Sequence, residues 1–549
     1  PLFALLGLEV AAIGPSDAAV RRRRAYRADV VYASVAEIGY DVLRDRFATR
    51  SEERVDPPCD AAVVDEADAV MIDEAMTPLV LAGAADAAAS DIAAATALVR
   101  TLSAPEHYAI DPDGTTVSLT DAGYDLIEQH LGGVNLFDTE HAGTLTRINL
   151  ALHARMLLHR DVDYLVADGR IQLINTARGR VAQRQRWPDG LQAAVEAKEG
   201  LGISAPGEIL DQLTVQDLLG RYRTLAGMSG TILPVAEDLI EFYGLRSGRI
   251  PRHRPDRRVD LPLEVLTTEA EKTDAVIGEI LRRHAAGQPV LVGTQDVAES
   301  ERLADLLPEQ LDARVLNARN DADEAAIVGR AGEHGAVTVS TQISGRGTDI
   351  RLGGSAERDR RRVAAAGGLA VIQTGLFPSQ RLDRQLRGRA ARQGDPGVSI
   401  AFASLEDELV QTNSTEDMRR RIARAPVDPR HRRKLVLGAQ RVAESVRQER
   451  HRATWQYTRI IAEQRAEALT VREQVLRARA DAGLRLQDII AELENRMPHA
   501  ASSARTSAVR GIALFELDRT WTDHLGRLAE VRDGIHLRRL AGQDPVEEF

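Results

Sequence analysis

The sequence predicts an α/β protein with two parallel-sheet domains, a mixed α/β domain inserted near the first, and an α-helical C-terminal scaffold. Three observations predict it. Short apolar runs alternate with helical stretches in two blocks, at the front and again from Glu269, as parallel strands with covered faces do. A block richer in turn signals, about residues 84–205, separates them. Residues 439–482 then contain no Gly and no Pro, and apolar side chains recur there at helical spacing.

In chain order, residues 8–13 read as a short strand. Residues 60–64, Asp-Ala-Ala-Val-Val, form an apolar run ending in acid, the pattern of a buried parallel strand. The middle block carries the turns Asp111-Pro112-Asp113-Gly114 and Trp187-Pro188-Asp189-Gly190. Strands are expected at 289–292, 336–340, 369–373 and 398–402. Val442, Val446, Ala453, Tyr457, Ile460, Ile461, Ala468, Val471 and Val475 recur at roughly helical spacing, which predicts a long helix. A shorter helical pair is expected from Leu514 to the end.

A chain of 549 residues is too long for one core, and a prior of roughly 100 to 200 residues per domain gives about three to five domains. The net charge of -11 argues against a dedicated nucleic-acid binder, which usually carries a basic excess. A single cysteine, Cys59, excludes an internal disulfide, disfavours a Cys-based zinc site and fits a reducing compartment. No apolar run approaches the ~18 residues that span a bilayer. Both ends, Pro1-Leu2-Phe3 and Glu547-Glu548-Phe549, read as cuts through a longer protein.

Three strings carry chemistry. Asp65-Glu66-Ala67-Asp68 closes an apolar strand. Phosphate hydrolysis needs one carboxylate to hold Mg²⁺ through water and another to orient the attacking water. The same residues suit a helix N-terminus, and the string alone leaves both readings open. Ser344-Gly345-Arg346-Gly347-Thr348-Asp349 follows an expected strand. Its glycines permit close backbone approach to a ligand, and Arg346 and Asp349 can reach phosphate and ribose; a Gly-rich turn with a surface ion pair is the plain alternative. In the string from Gln385 to Gly397, Arg389 and Arg392 are three apart, so on a helix they share one face. Paired guanidiniums suit the charge of a γ-phosphate in flight, although arginines are also common on solvated helix faces.

Order supplies the context. An acidic pair after a strand, then Gly227-Met228-Ser229-Gly230-Thr231, then Gly345 to Asp349, then the arginine string is the order of a two-domain, helicase-like ATPase motor with RecA-like domains. In such a motor nucleotide sits between the domains, and hinge closure pushes a polymer.

At these residues the chain resembles the SecA preprotein translocase ATPases. The resemblance rests on Glu37-Ile38-Gly39-Tyr40-Asp41-Val42-Leu43-Arg44-Asp45, on Val64 to Asp68 with Ile72-Asp73-Glu74-Ala75 and Thr77-Pro78, on Trp187 to Gly200, on Gln288 to Thr294, on Val315-Leu316-Asn317-Ala318, and on Leu517 to Leu525 with Gly534 to Arg538. It covers nearly the whole chain. It implies ATP and Mg²⁺ as cofactors, with Asp65 holding the metal through water. It implies catalytic roles for Glu66, Asp65, Arg389 and Arg392, and nucleotide contacts for Arg346, Gly347, Asp349 and Gln385. The implied partners are the SecYEG channel, unfolded preprotein, an anionic membrane surface and, as a further candidate, the housekeeping SecA. The implied location is the cytoplasm and the cytoplasmic face of the membrane.

The implied domains are 1–83, a partial first nucleotide-binding domain; 84–205, the preprotein-binding insertion; 206–257, the return segment; 258–415, the second nucleotide-binding domain; 416–513, a helical scaffold with a reduced wing; and 514–549, a two-helix finger. The chain departs from housekeeping members at Met76, at Asn175-Thr176-Ala177-Arg178-Gly179-Arg180 and in its short wing, and there resembles the accessory SecA of actinobacteria. Ala391 stands where the family has Gly; it strains the loop if φ must be positive and is harmless if helical. No G-x-x-x-x-G-K-[ST] string occurs, so this chain alone is expected to bind ATP poorly, while the resemblance implies that the parent protein hydrolyses it. Arg21 to Arg24 read as a solvated helix face, with a lipid or partner contact as the alternative. Competing functions are a DEAD-box-like RNA helicase, disfavoured by the large insertion and acidic balance, and a non-hydrolysing scaffold.

Overall fold

The structure is a computed structural model describing residues 2–84, 89–111, 116–138, 141–167, 169–175, 180–181, 187, 190–203, 207–317, 323–341, 349–415, 417–418, 420, 428–477 and 502–535. The chain divides into two compact units, one of Pro1–Ala85, Gly207–Arg246 and Glu449–Phe549, the other of Asp86–Pro206 and Ser247–Gln448.

In the first unit, the strand Ala61–Asp65 pairs in parallel with Thr224–Met228, Val64 opposite Gly227 and Asp65 opposite Met228. Side chains alternate across a strand, so Val64 turns to a core of Met71, Ile72, Val215, Val235 and Leu239. Val63 turns the other way and is 71% exposed. The expectation of a fully buried strand is therefore corrected. Its ladder has one partner strand among the described residues, and the packed side chains lie on one face.

The helix Val35–Arg46 starts where the Ser34 hydroxyl accepts from the Glu37 amide. Glu37 and Asp41, one turn apart, meet Arg22 from the helix Ala19–Ala25 at 2.5 and 3.0 Å. Arg22 also donates to the Gly14 carbonyl at 2.8 Å. The basic run is thus not all solvated face: Arg22 is 4% exposed, because two carboxylates and two carbonyls satisfy its guanidinium.

The long helix is observed as Pro429–Leu476, with residues from 449 onward in this unit. Arg465 from it pairs with Asp211 at 2.9 Å, and Asp211 also takes Arg46 at 2.6 Å and the Trp521 indole N–H at 3.2 Å. Asp211 lies on the strand Gly207–Leu213, antiparallel to Leu79–Ala84, so one buried carboxylate ties the returning strand to three helices. Trp521 belongs to a single helix, Ser502–Ile535. That helix is already under way at Leu514, where the sequence reading began a helical pair; residues 536–549 lie outside the described residues.

The second unit holds a seven-stranded, all-parallel sheet. Its order is Arg258–Asp260, Gly397–Ser404, Leu369–Gln373, Val290–Thr294, Val337–Thr341, Arg314–Leu316, with Glu264–Leu266 also on Gly397–Ser404. The central strands are buried on both faces. Val290, Val292, Val339 and Ile372 pack on one side against Val276 and Ile280; Leu291, Leu369 and Val371 pack on the other against Val363, Leu382 and Leu386. The expected strands at 289–292, 336–340, 369–373 and 398–402 are all present within a residue or two.

The same unit carries the mixed α/β insertion. The helices Ala89–Val99 and Ala142–Met156 share a core with the hairpin Tyr108–Ile110 and Val117–Leu119. A three-stranded antiparallel sheet follows, Tyr164–Ala167, Arg170–Asn175 and Arg180–Val181. Leu165 and Ile174 of that sheet pack on Val297 of the helix Val297–Leu306.

Candidate phosphoryl-transfer site

In the first unit the acidic string sits at the carboxyl end of its parallel strand. Asp65 is exposed, and one of its oxygens accepts from the Glu66 amide at 2.9 Å. Glu66 has φ 50, an uncommon conformation for a residue with a Cβ, and such outliers cluster at functional sites. Its carbonyl accepts from the amides of Ala69 and Val70, opening a π-helical turn over Ala69–Asp73.

Asp68 makes no side-chain cap on that turn. It is fully buried and accepts instead from the Thr231 hydroxyl at 2.7 Å. The Thr231 amide donates to the Ser229 hydroxyl at 3.1 Å. The helix-capping alternative is thus not what Asp68 does. A Cβ on Gly227 would lie 2.7 Å from that of Ala67, so this glycine permits the close approach of the two strings. The sequence reading missed Asp68 and Thr231 as partners. The available signal was the Gly227-to-Thr231 string itself.

In the second unit the helix Gln380–Arg387 begins at Ser379, whose hydroxyl accepts from the Arg381 amide. Leu382 and Leu386 face the sheet core, and Gln385 is half-buried. The helix ends at Arg387. Arg389 and Arg392 therefore do not share a helix face, which corrects the spacing argument. The helix stops two residues before Arg389, and Ala391, in a left-handed conformation (φ 59, ψ 38), then turns the backbone between the two arginines.

Arg389 is buried. Arg392 pairs with Asp349 at 3.3 Å and donates from Nε to the Gly388 carbonyl at 3.1 Å. The structure thus brings together two residues drawn from separate strings, Asp349 and Arg392. The loop is pinned further by Arg254, which donates to the Gln393 carbonyl at 2.9 Å, and by Arg360 on Asp395 at 2.8 Å. Arg346 and Gly347 lie outside the described residues.

Chemically, exposed Asp65 beside Glu66 offers the hard oxygen donors that Mg²⁺ prefers, so the residues fit the implied metal. Arg389 and Arg392 on one short loop offer fixed positive charge for an anion.

Comparison with known proteins agrees with this motif order. The chain matches the SecA DEAD-like domain over residues 1–240, the SecA P-loop domain over 255–362 and 355–429, and the SecA Wing and Scaffold domain over 486–549. It is 50% identical over 553 residues to protein translocase subunit SecA 2 of Thermobifida fusca, across 100% of this chain and 72% of that protein. It is 48% identical over 562 residues to protein translocase subunit SecA 2 of Mycobacterium tuberculosis, across 100% of this chain and 69% of that protein. A solved XPD helicase, at TM-score 0.34 and 12% identity over 72% of this chain and 76% of that one, is too distant to carry weight. The chain belongs to the SecA family. The accessory-type resemblance at Met76 and at 175–180 agrees with the names of these two relatives.

Proposed function

We propose that this chain forms most of an ATP-driven protein translocase motor of the accessory SecA type. The observation that carries the reading is the Asp65–Glu66 pair, held in a strained turn at the carboxyl end of a parallel strand, within a chain of this family. Glu66 orients and deprotonates the attacking water. Asp65 holds Mg²⁺ through water, and the metal supplies charge neutralisation at the phosphate oxygens. Arg389 and Arg392 stabilise charge on a transferred phosphoryl group, and Arg346, Gly347, Asp349 and Gln385 contact nucleotide.

The domain limits given above are part of this proposal. The insertion grips unfolded preprotein beside the second nucleotide-binding domain, on which its Leu165 and Ile174 pack at Val297. The finger meets polypeptide at the SecYEG channel, on the cytoplasmic face of an anionic membrane; the housekeeping SecA is a further partner. Among the described residues no helix is long and apolar enough to cross a membrane.

The test is ATPase of the full-length parent with channel-containing membranes and an unfolded preprotein, beside the same protein with RNA. Stimulation by channel and preprotein supports the proposal. Stimulation by RNA alone favours a helicase, and no hydrolysis under any condition favours a scaffold.

A further inference from the structure

The helix that leads into the arginine loop is anchored by a cluster that no catalytic role requires. Asp383, 2% exposed, lies on the helix Gln380–Arg387. One of its oxygens accepts from Gln373 Nε2 at 2.5 Å and from the Phe377 amide at 3.0 Å. The other accepts from Gln440 Nε2 at 2.6 Å. Gln440, 1% exposed, lies on the long helix Pro429–Leu476 and donates also to the Phe377 carbonyl at 2.8 Å. One turn further along, Glu444 accepts from the Ser379 hydroxyl at 3.0 Å.

Three elements meet at this carboxylate: the end of the strand Leu369–Gln373, the helix before the arginine loop, and the long helix. Gln373 also donates to the Gly375 carbonyl at 2.7 Å, which fixes the turn between strand and helix. A buried carboxylate is costly unless hydrogen-bonded, so losing a donor should move the helix rather than leave the charge bare. The helix is eight residues long, and a small tilt at its start displaces the loop at its end.

We propose that Asp383, gripped by Gln440, is a positioning residue that holds the loop of Arg389 and Arg392 in place from the long helix. It acts through the arginines and does not touch the nucleotide. The proposal rests on the phosphoryl-transfer reading of those arginines given above.

The test is Gln440→Met in the full-length parent, which keeps the side-chain volume and removes both donors. Expected are a kcat for ATP lowered roughly tenfold, with KM changed less than about threefold and thermal unfolding within a few degrees. Amides of residues 388–395 should exchange faster with deuterium. Adding Gln440→Met to Arg392→Ala should cost little beyond Arg392→Ala alone, since both act at one loop. Should Gln440→Met fail to fold, Glu444→Ala, at a half-buried site, should lower kcat in the same direction.

Wild-type kcat and exchange in a folded Gln440→Met, full multiplication with Arg392→Ala, or wild-type kcat in Glu444→Ala overturns the proposal. Full ATPase in Arg392→Ala alone instead overturns the role of the arginines. In that case the exchange of 388–395 still reports whether Asp383 and Gln440 hold the loop.

Discussion

The Thr231 hydroxyl donates to the buried Asp68 carboxylate at 2.7 Å, tying the turn after Glu66 to the end of the neighbouring strand. This bond couples two strings that lie far apart in the chain. Thr231→Val keeps the shape and removes the donor. It should destabilise the first unit by about 1 to 3 kcal/mol, the cost of leaving a buried acceptor short of a partner. Urea unfolding followed by Trp521 fluorescence checks this. ATPase should fall at the same time, because the turn holding Glu66 loosens.

Ala391 is the opposite case, a residue whose side chain costs stability. A left-handed conformation is unfavourable by roughly 1 to 2 kcal/mol for a residue with a Cβ, and glycine avoids most of that at some cost in chain entropy. Ala391→Gly should therefore raise the unfolding free energy of the second unit by up to about 1 kcal/mol, read as a higher melting temperature. A lower one would mean that the methyl contributes packing in the native loop.

Arg22 tests the buried ion cluster. Arg22→Met removes the cation from Glu37 and Asp41 and should cost about 3 to 5 kcal/mol, because two carboxylates lose their shared buried partner. Arg21 is exposed beside it, and Arg21→Ala should stay within about 0.5 kcal/mol of wild type in the same denaturant titration.

These cases show how much was legible in the sequence. The parallel sheet of the second unit could be read because its strands are continuous apolar runs. The family could be read because motif order survives in the chain. The fate of Arg22 could not, since a basic run looks the same whether solvated or paired with Glu37 and Asp41 from another helix. Nor could the exposure of Val63, because apolar composition does not reveal how many faces a sheet covers. The helical reading of Arg389 and Arg392 failed because the helix ends at Arg387 and Ala391 turns left-handed between them, and spacing carries no information about φ.

Asp383 gives a pH dependence. Burial pushes its carboxyl up from 3.8 to about 6, against the donors Phe377, Gln373 and Gln440 and the nearby Arg387. A folded pKa above the unfolded value means the native state holds the proton longer. This group's contribution is therefore full below the unfolded pKa and is lost as pH rises through about 6. The stability of wild type relative to Asp383→Asn should fall by up to about 3 kcal/mol between about pH 4 and pH 7. Denaturant titrations across that range check the sign, and a rise would contradict it.

The central claim is that Glu66 orients the attacking water in an ATP-driven translocase. The most direct measurement is single-turnover ATP hydrolysis by the full-length parent and by Glu66→Gln, with nucleotide affinity measured in parallel. The account predicts hydrolysis slowed by roughly a hundredfold or more in Glu66→Gln, with ATP bound about as tightly as by wild type. Equal hydrolysis by the two proteins would contradict it.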